Sequence, residues 1–247
     1  MTFGLTRTCV LSVLVVALLA TVAVAAPPLV RIGNFSEASP ARSLPPGWEE
    51  IRFGENDAST QYGLVEGDSA VVVRARSSNG ASGLITREEV RLTEYPVLEW
   101  RWKVNGVVED GDVTQKQTDD APARVYVTFD YTDLGVLDRL KLMLLRRFGY
   151  AEAPSRALNY VWANHRDPGT TESPYTDQIV MIPVEAGPTK AGRWVRERRN
   201  VLEDYRAVFG EDPPPVNGVA IMTDTDNTAG AARAWYGDIV FRAARAD

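Results

Sequence analysis

Apolar and charged residues alternate without a break through Leu98-Glu99-Trp100-Arg101-Trp102-Lys103-Val104. Successive side chains of a strand point to opposite faces, so this period of two predicts a strand whose buried face carries Leu98, Trp100, Trp102 and Val104. The same period recurs over residues 124–129 and 219–224. Further strand candidates lie at 70–76, 84–87, 159–164, 178–183, 194–198 and 234–241. Turn formers separate them, among them Glu66-Gly67-Asp68, Ser78-Asn79-Gly80, Gly187-Pro188 and Pro213-Pro214-Pro215. Many short strands without regular βαβ spacing predict a mainly β fold, a two-sheet antiparallel β-sandwich of the jelly-roll type.

One segment departs from this period. Between Asp133, a candidate N-cap, and Gly149, a candidate C-cap, Leu137, Leu140, Leu144 and Phe148 share one helical face and Arg139 and Arg146 lie opposite. This predicts one inserted amphipathic helix packed over the end or edge of the sandwich. The alternative is a membrane or partner contact, which requires the stripe of the 134–148 helix to be exposed. A second, short helix is predicted over 201–209, after Asn200 and before Gly210.

The first residues read differently from the rest. Arg7 precedes an apolar run from Cys9 to Ala26, which ends in the small-x-small triplet Ala23-Val24-Ala25. That is the pattern of a secretory signal peptide cleaved near Ala25, which predicts an exported protein, periplasmic or secreted. An uncleaved membrane anchor is the competing reading. Residues 26–247 contain no internal repeat or Ser/Gly-rich linker, and are expected to form a single domain.

Composition narrows the chemistry. The chain has 247 residues, 45 % apolar and 24 % charged, as expected of a folded protein. It holds one histidine, His165, and one cysteine, Cys9, which falls inside the leader. Multi-histidine zinc sites, zinc ribbons, thiol redox pairs and internal disulfides cannot be built from that inventory. The formal charge of -6 shows no broad basic excess, so no nucleic-acid partner is expected. Neither a phosphate loop nor Gly-x-Gly-x-x-Gly is present, and no nucleotide is expected either.

Three groups of residues remain as candidates. Trp102, Tyr126, Trp162 and Trp235 lie on or near strands and could form a flat platform for the C–H face of a sugar, with core packing as the competing role. Asp119 and Asp120 end a polar loop over 105–122, and Arg124 follows close behind them. They read as an Asp-Arg brace on a solvated loop, a hard-cation site or a proton donor. Asp224 and Asp226 stand two apart after a strand, so both can point the same way. An EF-hand is rejected because Ala229 and Trp235 occupy its glycine and glutamate positions. A structural calcium is the one cofactor left open. His165 sits in a polar loop with no Gly-x-Ser-x-Gly elbow to accompany it. The arginines Arg193, Arg196, Arg198 and Arg199 read as a solvated, ion-paired strand face or as a contact for an anionic glycan.

Several motifs taken together carry a resemblance. They are Pro45-Pro46-Gly47-Trp48, the 98–104 strand, Asp119-Asp120-Ala121-Pro122-Ala123-Arg124, Leu158-Asn159-Tyr160-Val161-Trp162, Ser173-Pro174-Tyr175-Thr176-Asp177 and Met222-Thr223-Asp224-Thr225-Asp226-Asn227. With these in this order, the chain resembles a bacterial family catalogued only as domain of unknown function 3047, a resemblance that implies no activity. More loosely, an opening strand with Asn34-Phe35, the Trp-rich strand and a closing Trp235-Tyr236-Gly237-Asp238-Ile239 resemble the jelly rolls of carbohydrate-binding and galactose-binding-like domains. That resemblance implies a sugar on one sheet face, by analogy of architecture. The expectation is therefore a non-catalytic exported module for a glycan or other envelope component. A carboxylate-based glycosidase or lyase and a structural protein of the periplasm are the alternatives.

Overall fold

The computed structural model describes residues 28–52, 58–131, 155–165 and 169–244. Both the leader and the inserted helix predicted over 133–149 lie outside the described residues. Thirteen strands are described, in chain order β1 (Leu29–Gly33), β2 (Glu49–Arg52), β3 (Gln61–Glu66), β4 (Val71–Ser78), β5 (Ala81–Thr86), β6 (Val97–Val104), β7 (Ala121–Phe129), β8 (Arg156–Ala163), β9 (Thr171–Ser173), β10 (Thr176–Ala186), β11 (Val195–Asn200), β12 (Val216–Asp224) and β13 (Ala231–Arg242). They form two sheets. Sheet A runs β11-β6-β13-β4-β3, with β1 also paired to β13, and sheet B runs β2-β5-β12-β7-β8-β10-β9. The predicted β-sandwich is present, with one departure from antiparallel order: β8 and β10 run parallel.

Alternation assigns the faces. In β6, Leu98, Trp100, Trp102 and Val104 are buried against sheet B, while Glu99, Arg101 and Lys103 are only half-buried. In β8 every residue is buried: its core face carries Leu158, Tyr160 and Trp162, and on its other face Val161 packs with Val113 of the 105–120 loop, Ala121 and Met181. An aromatic seam joins the sheets. Trp100 meets Trp102 edge-on with ring centroids 5.5 Å apart, Trp102 meets Trp162 at 5.9 Å, and Trp100 meets Tyr160 at 5.3 Å. The indole N–H of Trp102 donates to Glu197 Oε1 (3.1 Å) and that of Trp162 to the Gly187 carbonyl (3.0 Å), so burial leaves neither unpaired.

This seam corrects the platform expectation for two residues. Trp102 and Trp162 are both fully buried in the core and offer no ring face to a ligand. Their strands place them on the same side as Leu98 and Leu158, and that side faces the other sheet. The opening segment also differs. Asn34 and Phe35 do not continue β1 but turn into a short 3-10 helix, Phe35–Glu37, whose Phe35 packs against Trp48 at 5.3 Å.

The short helix α1 (Val201–Phe209) is present where its caps predicted it. The Asn200 side chain accepts from the Glu203 N–H, and Gly210 closes the other end at φ +72°. Its Tyr205 packs on Phe129 with centroids 4.7 Å apart, which covers the end of the sandwich.

The seam makes a measurable prediction. Trp102→Ala leaves an unfilled cavity at the inter-sheet contact and is expected to lower the unfolding free energy by about 3–5 kcal/mol. Urea denaturation of the two proteins, compared at constant m-value, checks it.

Candidate functional site

Sheet B turns a second face away from the core, and that face is hollow. The β-ladder aligns Ile85, Ala220, Tyr126, Asn159 and Met181 in one row across five strands, and Gly83, Met222, Arg124 and Val161 in the next. The small residues Gly83 and Ala220 sit beside larger Ile51, Tyr126 and Met222, which lowers the floor. A Cβ on Gly83 would come within 3.2 Å of Ile51 and of the Ile221 carbonyl. The walls add Tyr175, Thr176 and Ile179 on one side. The resulting cavity of about 150 Å³ is the size that holds a single six-membered ring.

At one end the groove stops at an ionic cluster. Arg124 is only 1 % exposed. Its Nε donates to Asp224 Oδ1 (2.9 Å), and its Nη2 donates to Asp224 Oδ2 (3.0 Å), to Asp119 Oδ1 (2.7 Å) and to the Asp119 carbonyl (2.9 Å). The fork geometry of guanidinium suits this double duty. Burial alone would lower the Arg124 pKa, but Asp119 and Asp224 hold it well above its ordinary value. Loss of solvent pushes Asp119 up against the pull of Arg124, and pushes Asp224 up to about 7. One guanidinium serves two buried carboxylates, so a negative charge is left over and a proton becomes favourable.

Asp120 has a different task. Its carboxylate accepts from the Asn227 N–H (3.1 Å), the Thr228 N–H (2.7 Å) and the Thr228 hydroxyl (2.6 Å). It therefore clamps the turn after β12 from behind the groove. Its carbonyl accepts from Asn164 Nδ2 (2.6 Å), whose Oδ1 in turn accepts from the Val108 N–H (2.9 Å), which ties down the 105–120 loop. The expectation of a solvated loop is corrected here: the brace exists, but Asp119 and Asp120 are buried. Oxygens of Asp120, Asp224 and Asp226 come within 4.8 Å of one another, a spacing compatible with a hard cation. Asp120 and Asp224 already accept protein donors on both oxygens, and the Arg124 cation held against Asp224 opposes a dication there.

The polar groups facing the hollow are short of partners. Among the described residues Arg124 Nη1 donates to Met181 Sδ, at 4.0 Å, and the Tyr126 hydroxyl to Met222 Sδ, also at 4.0 Å, with the Arg124 guanidinium beside the phenol. Sulfur is a weak acceptor, so these donors are barely satisfied. Asn159 lies between Tyr126 and Met181 in the ladder, and neither its amide nitrogen nor its oxygen has a hydrogen-bond partner among the described residues. A buried unpaired amide is costly and calls for an explanation.

Of the candidates, Asp119, Arg124, Tyr126, Asp224 and the half-buried Asp226 thus meet at the groove. Asp120 stands behind it. His165 is exposed and does not line it, and Trp235 is half-buried on the outer face of sheet A, on the other side of the molecule. These two expectations are corrected by topology, because a loop beyond β8 and a strand of sheet A cannot reach the outer face of sheet B at this point. Met181, Tyr175 and Met222 were missed as groove residues, and the fully buried Asn159, in the same ladder row as Met181 without lining the groove, was missed as an unpaired amide. Asn159 carried a signal, a lone amide in the apolar run Ala157-Leu158-Asn159-Tyr160-Val161-Trp162.

The chain belongs to the family described as protein of unknown function (DUF3047). The family model matches residues 46–240, which includes every groove residue named above. No curated protein matches the chain in sequence. Among solved structures, it is similar to the family 11 carbohydrate-binding module of cellulosomal cellulase Lic26A-Cel5E of Clostridium thermocellum, at 8 % identity and a TM-score of 0.42 over 90 % of this chain and 98 % of that one. It is similar also to a family 12 xyloglucanase from Bacillus licheniformis, at 9 % identity and a TM-score of 0.44 over 87 % of this chain and 100 % of that one. The adhesin domain K3 of Lys-gingipain from Porphyromonas gingivalis matches at 12 % identity and a TM-score of 0.40 over 87 % of this chain and 98 % of that one. These likenesses give no residue of the DUF3047 chain a role.

The ionic cluster predicts a pH dependence. The Asp224 carboxyl titrates at about 7 in the fold and near 4 when unfolded, so between those values the folded state holds the extra proton. Its contribution to stability is complete below pH 4 and is lost as pH rises through 7. Asp224→Asn should therefore flatten the fall in melting temperature between pH 4.5 and pH 7.5 relative to the parent chain, a difference that calorimetry at both pH values reads directly.

Proposed function

We propose that the DUF3047 chain is a non-catalytic binding module that seats one ring of a glycan in the groove on the outer face of sheet B. The observation that carries this reading is the pair of polar groups that line the groove with only thioether sulfurs as hydrogen-bond acceptors among the described residues, Arg124 Nη1 and the Tyr126 hydroxyl, beside an otherwise apolar floor. A sugar ring presents apolar C–H faces and a rim of hydroxyls that both donate and accept. The floor suits the first, and a donor-rich guanidinium and a phenol suit the second.

Hydrolysis is the weaker reading of the same residues. Glycosidases place two carboxyl groups on opposite sides of the scissile bond, about 5–9.5 Å apart. Asp119 and Asp224 instead grip a single guanidinium nitrogen, at 2.7 and 3.0 Å, so both lie at the same end of the groove. The leader-like residues 1–25 support an exported location, where cell-wall and capsular glycans are the available ligands.

Tyr126→Phe separates binding from folding. Removing a hydroxyl whose hydrogen-bond acceptor is a thioether sulfur should leave the unliganded protein about as stable as before. It should weaken glycan binding about tenfold, the loss of one or two hydrogen bonds. A glycan array followed by titration calorimetry on the hits provides the measurement. The reading fails if no saccharide binds, or if the variant binds as the parent does.

A further inference from the structure

The outer face of sheet A has a character opposite to that of the groove. Its alternating positions bring Arg74 and Arg76 on β4, Arg233 on β13, Arg101 and Lys103 on β6, and Arg196 on β11 to one side of the sheet. None of the five arginines forms an ion pair with a described carboxylate, and Lys103 reaches only the largely exposed Asp68, at 3.8 Å. Glu99, the carboxylate within this face, is engaged by Arg198 and Arg242 at one end. All this stands on a chain whose formal charge is -6. The positive charge is a local concentration and not a property of the whole surface.

Two features show that the concentration is built at a cost. The ladder sets Arg233 directly opposite Arg76, and Arg196 directly opposite Arg101. Like charges in directly opposed cross-strand positions destabilise a sheet, and here the arrangement occurs twice on one face. Burial, together with Arg76 and Arg233, lowers the Arg74 pKa, the electrostatic mark of this crowding. Two indoles hold the cations in place. Lys103 Nζ lies 4.8 Å from the Trp235 ring centre and 5.2 Å from that of Trp194, while the Arg101 guanidinium lies 4.8 Å from Trp194. Aromatic contacts prop Lys103 and Arg101 outward, and among the described residues Lys103 alone of the six cations has an anion, the largely exposed Asp68.

We propose that the outer face of sheet A is a docking surface for an acidic polysaccharide, a glycan chain bearing repeated carboxylates. Charge complementarity carries the assignment: a row of guanidinium groups pairs with carboxylates in bidentate fashion, and a pleated sheet offers a flat track to an extended chain. Nucleic acid fits less well. Single strands are held by stacking bases on open aromatic rings, and both indoles here are already engaged by Lys103, Arg101 and Arg233. Duplex DNA is read by an element that enters a groove, which a broad sheet face does not do. This surface is separate from the sheet B groove, and neither assignment depends on the other.

The test uses the purified full chain and polygalacturonate as probe, in titrations at low and at physiological salt. Arg76→Gln combined with Arg233→Gln removes two exposed charges from strand positions that need no ion pair to fold. The double variant is expected to melt no lower than the parent chain. Its affinity for polygalacturonate should fall at least about tenfold, with a shallower dependence on salt. Binding of an uncharged glycan in the groove should stay unchanged in the same variant, so that the two sites succeed or fail separately. The proposal is overturned if polygalacturonate does not bind at low salt, or if the double variant binds it as well as the parent. It is overturned equally if single-stranded oligothymidine or phosphatidylglycerol vesicles bind more tightly than the polysaccharide does.

Discussion

Arg124 is the residue on which the site depends. A guanidinium removed from water is tolerated only with anionic partners, and this one takes both oxygens of Asp224 and one of Asp119. Those partners come from different parts of the chain, the end of β12 and the loop before β7. The ion cluster therefore fastens the 105–120 loop to the sheet and fixes one end of the groove. Asp120 extends the same fastening to the turn after β12, and Asn164 extends it back to Val108. Removing the guanidinium would strand two buried carboxylates, a loss of the 3–5 kcal/mol class. The arginine thus has a structural task in three of its five N–H directions and a free hand, Nη1, toward the hollow.

Behind that face, the aromatic seam decides which side of each strand is available. Trp100, Trp102, Tyr160 and Trp162 fill the space between the sheets, and the alternation of the strands then sends every other residue outward. On sheet B the outward residues include Gly83, Ala220, Tyr126 and Met181, which make a shallow apolar hollow. On sheet A they include five arginines, Lys103 and Trp235, with Trp194 just before β11 beside them. The two outer faces of one sandwich are thus chemically distinct: one is an apolar hollow that ends in an ionic cluster, the other a flat array of cations.

Much of this was legible in the sequence. The period of two in β6, β7 and β12 located their strands, and the same alternation already placed Trp100 and Trp102 on the core side. Asn200 and Gly210 bounded α1, because capping is a local matter of one side chain or one left-handed residue. The pairing of Arg124 with aspartate was expected, as was its proximity to Asp119. What was not legible was distance across the sheet. Asp224 lies a hundred residues from Arg124, and only the β12–β7 ladder makes them neighbours. Likewise Trp235 and Tyr126 looked alike as strand aromatics, and the division into two sheets put them on opposite sides of the protein.

By itself, then, the sequence determined that the fold is mainly β, most of its longer strands, the buried face of β6, several turns and the caps of α1, and the range of side-chain chemistry, with one histidine and no thiol beyond Cys9. These follow from contacts a residue makes with near neighbours or from its own composition. The tertiary structure alone decided which strands pair and in what register. That register gathers Arg124, Tyr126, Met181 and Met222 into one hollow and sets Arg76 against Arg233 and Arg101 against Arg196. Side-chain periodicity says which way a residue points, but only long-range strand pairing says what it points beside.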